Sequence, residues 1–543
     1  MYSPYLCWAA ASLLLLVACG VASQKFCKST PAWIEELHLL GLPRKRKLPG
    51  TAVICGGSIA GIVTARICAD HFERVIIVDP EMQDAEKPKT RIMQYYSTHG
   101  RLTDTTPQHK SLTYLAIGFL SLFIDGARKL WPDIDDEILA TGGRTCPADT
   151  QVHYSGVLIP TPYRDYPPGQ FPDTLVIRRS KLQTVLHRLM IRHSSAATIT
   201  VLAGTTRGIK ISADGTVIKS VVVRDPSGVH LSLDNVAILA GEFRLMVYFH
   251  YCTGATQAGL RWLKAAGLPL SNDLRRCYNA NLRYVTIDFT VSPALAAKLP
   301  IPEAHTKSIT IYVYVPHDDS KACYVSFLKT ENDTSASVPI QQKMRLILDS
   351  ATHALNRRQR YATDPRRSRS IYQGIPRMHP THSRLVDQSY VQYSLAPPGA
   401  LPSNFVALGD ASLQLNPVHG QGFGKIMLNG ITLNSILHAI DSPTLLPSNF
   451  GARYFKKSAS PMKELWITKL PSDYGSSSCE PMKGETRDTG RIMRWLELKL
   501  LSAATQDEEV ASAFWHVRHM RARDIAFFAP TVLWKVIKTR SIF

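Results

Sequence analysis

At 543 residues the chain is too long for one simple domain and long enough to bury a large core. Its 63 Lys and Arg outnumber 43 Asp and Glu, giving a formal charge of +20. The basic residues fall in short groups such as Arg44–Lys47 rather than long tracts, which points to a solvated surface and away from nucleic acid. The ten cysteines include no C-x-x-C pair, so neither a zinc site nor a redox dithiol is indicated and no metal is expected.

From Tyr5 to Ala22 the sequence carries no charge, and about 18 apolar residues are just enough to span a bilayer. No basic residue precedes this run, whereas Lys25, Lys28 and Arg44–Lys47 follow it. That asymmetry favours a single-pass anchor over residues 5–22 with the bulk of the chain in the cytosol, over a cleaved signal that would send the chain into the secretory pathway. In the latter case Asn332 would become a glycosylation candidate.

Next, Thr51–Cys55 is a short apolar run, followed by Gly56, Gly57, Ser58, Ile59, Ala60 and Gly61, a helical stretch from Ile62 to His71, and a second apolar run, Arg74–Asp79. Apolar run, glycine turn, helix and apolar run describe a βαβ unit with a parallel sheet. Gly56 allows the tight bend, Gly61 allows the helix to lie close on the strand, and amides from Ile59 onward face the pyrophosphate of a dinucleotide. Ser58 stands where G-x-G-x-x-G has its middle glycine. Asp79, 18 positions after Gly61, can accept hydrogen bonds from ribose hydroxyls and disfavours a 2′-phosphate. Cys55 lies in the first run and Cys68 on the helix, where thiols behave as small hydrophobes; a reducing compartment is the economical reading, with disulfides among the other cysteines left open.

Alternating segments at Thr198–Leu202, Gly208–Ile211, Val217–Val223 and Val229–Leu233 predict an antiparallel meander. A second β-rich region covers Leu282–Val291 and Ser308–Val315, then helical patterning returns over Pro339–Asn356. Between these and a polar stretch at 472–490 lies a second glycine-rich segment. The apolar run Phe405–Leu408 ends in Gly409 and Asp410, then Pro417 fixes the chain and Gly420, Gln421 and Gly422 open a helix over Lys425–His438. One carboxylate at a strand tip can hold a ribityl hydroxyl, and amides at a helix start suit the anionic pyrimidine edge of a reduced flavin. A helical tail follows from Gly490.

Together the two glycine segments resemble those of FAD-dependent monooxygenases with the aromatic hydroxylase fold (class A flavoproteins), and more closely fungal secondary-metabolite members, over most of residues 50–440. Arg91 with Met93, Gln94, His99 and Gly100 resembles the stretch whose arginine lies beside the flavin. Arg178 to Leu182 resembles the R-x-x-L that opens a helix near FAD, matching best at Arg179, and Leu122 to Pro132 resembles the helix and turn that follow Arg91. Two places depart from the pattern: Arg101–Gly118 and Gly241–His250 stand where the family runs nearly continuously, and Tyr251 replaces an Asp before Cys252-Thr253-Gly254-Ala255-Thr256-Gln257.

The resemblance implies an α/β fold: a Rossmann-like FAD-binding domain of the glutathione-reductase type with a parallel sheet, intertwined with a mixed β-sheet substrate domain, plus an N-terminal transmembrane helix and a helical C-terminal region. The expected boundaries are 1–24 for the anchor, 50–260 and 395–440 for the FAD-binding parts, 270–390 for the substrate domain and 445–543 for the C-terminal helices. It further implies reduction of FAD by NADPH or NADH and oxygen transfer from O2 to an apolar small molecule. No catalytic constellation is singled out, and His419 reads first as a packing or solvent-facing residue. The rivals are a membrane-anchored epoxidase like squalene epoxidases and a catalytically inactive FAD-binding scaffold. A flavin halogenase is disfavoured because no two tryptophans stand two residues apart.

Overall fold

The computed structural model describes Cys27 and Met82 and residues 29–80, 121–149, 152–154, 157–177, 179–193, 198–241, 257–280, 283–288, 308–314, 323–330, 333–338, 379–384, 387–442, 445–476 and 478–540. The apolar segment at 5–22, Arg91, the stretches 101–118 and 242–256, and the helical pattern at 339–356 lie outside these residues. Among the described residues no helix is long and apolar enough to cross a membrane.

In chain order the elements are β1 (Leu48–Cys55), α1 (Ile59–His71), β2 (Phe72–Val78), α2 (Ser121–Leu130), α3 (Ile134–Ala140), β3 (Arg144–Pro147), β4 (Val152–Tyr154), β5 (Val157–Ile159), β6 (Asp173–Val176), α4 (Arg179–His193), β7 (Ile199–Leu202), β8 (Thr205–Ile211), β9 (Ile218–Arg224), β10 (His230–Asp234) and β11 (Val236–Gly241). They continue with α5 (Ala258–Ala265), β12 (Arg275–Tyr278), β13 (Arg283–Asp288), β14 (Ser308–Tyr314), β15 (Cys323–Thr330), β16 (Asp333–Val338), β17 (His379–Arg384), β18 (Gln388–Val391), β19 (Leu413–Gln414), α6 (Gly422–His438), α7 (Phe450–Tyr474), α8 (Arg491–Ala504), α9 (Glu508–Arg518) and α10 (Pro530–Lys538).

The βαβ unit forms as the sequence predicts, and it sits at the centre of a parallel sheet ordered β11-β1-β2-β7. Continuous apolar runs suit strands buried on both faces, and Thr51–Cys55 and Val75–Val78 are buried throughout. Only Arg66 of α1 escapes full burial, because α1 is covered by the sheet on one side and by α6 on the other; its guanidinium reaches Asp70 and the Leu130 carbonyl.

One expectation is corrected. Thr198–Leu202 does not open the meander but forms β7, pairing parallel with β2 from Val75↔Ile199 to Val78↔Leu202. The meander is β8-β9-β10 alone. Alternation along a strand reports which face is buried, not which strand is its neighbour. Here Ala203 and Gly204 turn the chain out of the sheet, and a Cβ at Gly204 would lie 2.6 Å from Val223.

A seven-stranded sheet, ordered β17-β13-β16-β15-β14-β4-β5, is antiparallel except at β14 and β4. Because β4 and β5 come from the N-terminal half, the chain crosses between the two sheets more than once. Helices α7 to α10 form the C-terminal region, α7 running on to Tyr474 and so three residues into the stretch read as polar.

Arg44, read in the sequence as one of a solvated or topology-setting group, has a structural task. Its guanidinium donates to the carbonyl of Leu437 in the last turn of α6 (3.0 Å) and to those of Ile440 (2.6 Å) and Ser442 (2.8 Å) in the chain just beyond, fixing the end of the helix. Cys27, Cys55, Cys68, Cys146, Cys277 and Cys479 are free thiols, and burial pushes Cys55 up to about 12, so it is inert.

At the α1–α6 interface, fully buried His71 places Nε2 2.9 Å from Asn434 Oδ1 and packs edge-on against His438 at 4.6 Å. Burial holds its pKa down at about 4 from 6.5. A lowered folded pKa means that the unfolded chain takes up the proton first. This contribution is therefore complete above pH 6.5 and lost as pH falls from there to about 4. Chemical denaturation across that range is expected to show up to about 3 kcal/mol of lost stability, and His71→Gln is expected to flatten that part of the profile.

Candidate functional site

Gly56 takes φ +97°, which L side chains rarely adopt, as the chain leaves β1, and its N–H donates to Val78 O at 2.9 Å. A Cβ at Gly61 would fall 1.8 Å from the Gly56 carbonyl oxygen, so only glycine lets α1 start this close to the strand. Ser58 is the N-cap, extended at φ −75° and ψ 179°, buried, and its hydroxyl makes no capping bond; its carbonyl accepts from Ile62 N–H at 2.9 Å. The first amides of α1, at Ile59, Ala60 and Gly61, begin where the sequence places them. Asp79 is buried at the end of β2, and Oδ2 accepts the Gly57 N–H at 2.8 Å. The acid therefore shapes the turn as well as standing beside it.

The second segment joins the same sheet. Leu239 bridges parallel to Phe405, with Leu239 N–H on Asn404 O at 2.8 Å and Val406 N–H on Leu239 O at 3.0 Å. The run Phe405–Leu408 thus lies beside β11, and its end at Gly409 falls on the same edge as Gly56 and Asp79. In parallel α/β sheets that carboxyl edge is where ligands bind. Gly409 takes φ +60° and donates its N–H to Asn429 Oδ1 at 3.0 Å; Gly420 takes φ +69°. Pro417 opens a single turn, Pro417–His419, and α6 starts at Gly422, where a Cβ would meet nothing within 4 Å.

Four side chains that the sequence reading did not select hold these pieces. Gln183 on α4 donates to the Gly57 carbonyl at 2.7 Å, and its i−4 neighbour Arg179 shares that helix face. Lys425, fully buried one turn into α6, bonds Asp410 Oδ1 at 2.5 Å and the Leu413 carbonyl. Asn429 anchors Gly409. Asp473, buried on α7, accepts from Asn416 Nδ2 (2.7 Å) and His419 Nε2 (3.2 Å) on Oδ1, and from the Tyr278 hydroxyl (2.7 Å) on Oδ2. His419 is thus neither solvent-facing nor a lone packing residue. Burial, then the Asp473 charge, push the Tyr278 hydroxyl well above its ordinary value, so it stays a donor. A lysine one turn inside a helix start otherwise made of glycine and apolar residues was the available signal for Lys425; Asp473, 54 positions from His419, offered none.

Gln257, the last residue of the Cys252–Gln257 stretch, is described: its amide nitrogen lies 3.4 Å from the carbonyls of Asp410 and Ser389, and its oxygen accepts from Arg275 at 2.8 Å. Arg91 and Cys252–Thr256 fall outside the described residues.

Gln421, at the N-cap of α6, is buried, and neither heteroatom of its amide has a protein partner among the described residues. The same holds for Asn429 Nδ2. An unsatisfied buried polar group costs about 1–3 kcal/mol, so these amides beside a glycine turn at a sheet edge fit a polar, heteroatom-rich ligand such as a flavin ring. Among the described residues no cluster of His, Cys, Asp and Glu could hold a metal ion.

No model of a known protein family matches the chain, and no curated protein does. Solved structures do. The flavin-dependent brominase Bmp2 aligns with a TM-score of 0.51 at 11% identity over 91% of this chain and 100% of its own. A flavoprotein/dehydrogenase from Cytophaga hutchinsonii aligns with 0.53 at 12% identity over 89% of this chain and 96% of its own. At such identities the likeness is one of fold: this chain has the α/β fold of these flavin-dependent proteins, with a parallel sheet and a helical C-terminal region.

Proposed function

We propose that the chain is an FAD-dependent monooxygenase that uses NADPH or NADH and O2 to hydroxylate or epoxidise an apolar small molecule, in secondary-metabolite biosynthesis. The observation that carries this reading is the convergence of two glycine turns, each followed by a helix, at the carboxyl edge of one parallel sheet, with the buried Gln421 side-chain amide, which has no partner among the described residues, at the second. In this reading the Gly56–Gly61 turn and the first amides of α1 receive the pyrophosphate, and Asp79 the adenosine ribose. Asp410, oriented by Lys425, holds the ribityl chain. Gly420, Gln421 and Gly422 with the N-terminus of α6 face the pyrimidine edge, and Arg179 and Arg91 flank the cofactor. FAD when bound supplies the redox and oxygen-transfer chemistry; the protein orients, excludes water and holds charge. The substrate lies between this edge and the seven-stranded sheet, and residues 5–22 anchor the chain with its catalytic part in the cytosol.

Tyr251 and the two extra stretches in the sequence favour a second reading, an FAD-binding scaffold without turnover. Oxidation of NADPH or NADH that accelerates with an apolar terpenoid or polyketide substrate is expected. Failure of both nicotinamides to reduce the bound flavin under anaerobic stopped flow would leave the scaffold.

A further inference from the structure

The C-terminal helices present an apolar face that no other element covers among the described residues. On α8, Ile492 (76% exposed) and Trp495 (51%) share one side at i, i+3; on α10, Trp534 (58%) and Ile537 (52%) do the same. The two pairs are joined where Lys499 donates to the Thr539 carbonyl at 2.7 Å. Each exposed indole carries a lysine ammonium: Lys499 lies 5.9 Å from the Trp495 ring and Lys538 4.4 Å from the Trp534 ring.

Four large apolar side chains exposed on two packed helices are more than scattered surface residues. Their charge surroundings decide what they meet. Arg491, Lys499, Lys538 and Arg540 flank the four, and none has an ion-pair partner among the described residues, whereas Lys535, on the other side of α10, is held by Asp507 and Glu509. A second copy of the chain would bring these cations against their own kind. An anionic bilayer would instead take the indoles at its headgroup level, the isoleucines just below, and the ammonium groups among the phosphates.

We infer that α8 and α10 form a membrane-docking face for anionic lipid. This does not rest on the flavin reading, nor on residues 5–22. The test uses the full chain with vesicles of brominated phosphatidylcholine containing one third phosphatidylserine. Bromine quenches tryptophan that enters the bilayer. The readout is the difference between wild type and W495F/W534F, so any quenching of Trp8 in the apolar N-terminal segment cancels. Expected are strong quenching in the wild type, its loss to the Trp8 background in W495F/W534F, and wild-type quenching that falls by at least about half in K499Q/K538Q, whichever way residues 5–22 behave. Equal quenching of the wild type and W495F/W534F overturns the proposal. So does a wild-type dimer in sedimentation that W495S/W534S dissolves while vesicle quenching shows no difference, which would give the face to a second copy.

Discussion

Gly61→Ala is expected to yield a protein that folds but no longer retains flavin. The added Cβ would sit 1.8 Å from the Gly56 carbonyl oxygen; that oxygen is backbone, and the Cβ position is fixed by the backbone of α1. No rotamer relieves the clash, so the start of α1 must lift away from the turn. Overpacking of this kind costs about 1–3 kcal/mol of stability. The same displacement moves the amides proposed to receive the pyrophosphate, and a loss of about 1.4 kcal/mol there is tenfold in affinity, so the FAD dissociation constant is expected to rise by at least about tenfold. Gly208→Ala in β8 is the control: its Cβ would meet nothing within 4 Å, and neither stability nor flavin affinity is expected to change measurably. Flavin fluorescence titration and urea unfolding of the two variants check both halves.

Asp473→Ala is expected to have the largest effect on stability outside the glycine turn. Three buried donors, on Asn416, His419 and Tyr278, lose their acceptor at once, and each stranded group carries a desolvation penalty of about 1–3 kcal/mol. Because the donors can partly relax, the sum is expected near 3–5 kcal/mol. Two of them flank Pro417, so the loop leading to Gly420 and Gln421 should loosen and flavin should leave faster. Asp473→Asn keeps one acceptor oxygen and is expected to fall between. Wild-type unfolding and flavin release in Asp473→Ala would show that the loop does not depend on the C-terminal helices.

What the sequence makes legible here is what local chemistry determines. Gly56, Gly61 and Asp79 are readable because a turn, a close helix and a strand-end acid must stand at fixed spacing. Gly409, Asp410 and Gly420 are readable for the same reason, and the helices after both turns begin within about three residues of where the pattern puts them. Neighbour relations are not local. β7 alternates like a meander strand yet pairs with β2, and the Phe405 run gains its place beside β11 only once the sheet closes. Gln183 and Asp473 act on turns more than fifty residues away, so no window of sequence contains both partners. Arg44 shows the opposite error: a basic cluster has a plain electrostatic reading, and the fold uses one member as a helix cap instead.

Cofactor content of the purified full-length protein tests the central claim most directly. The expected result is a yellow protein with the visible bands of oxidised flavin, releasing close to one FAD per chain when denatured. A colourless protein that takes up neither FAD nor FMN when either is added to the folded chain would contradict it.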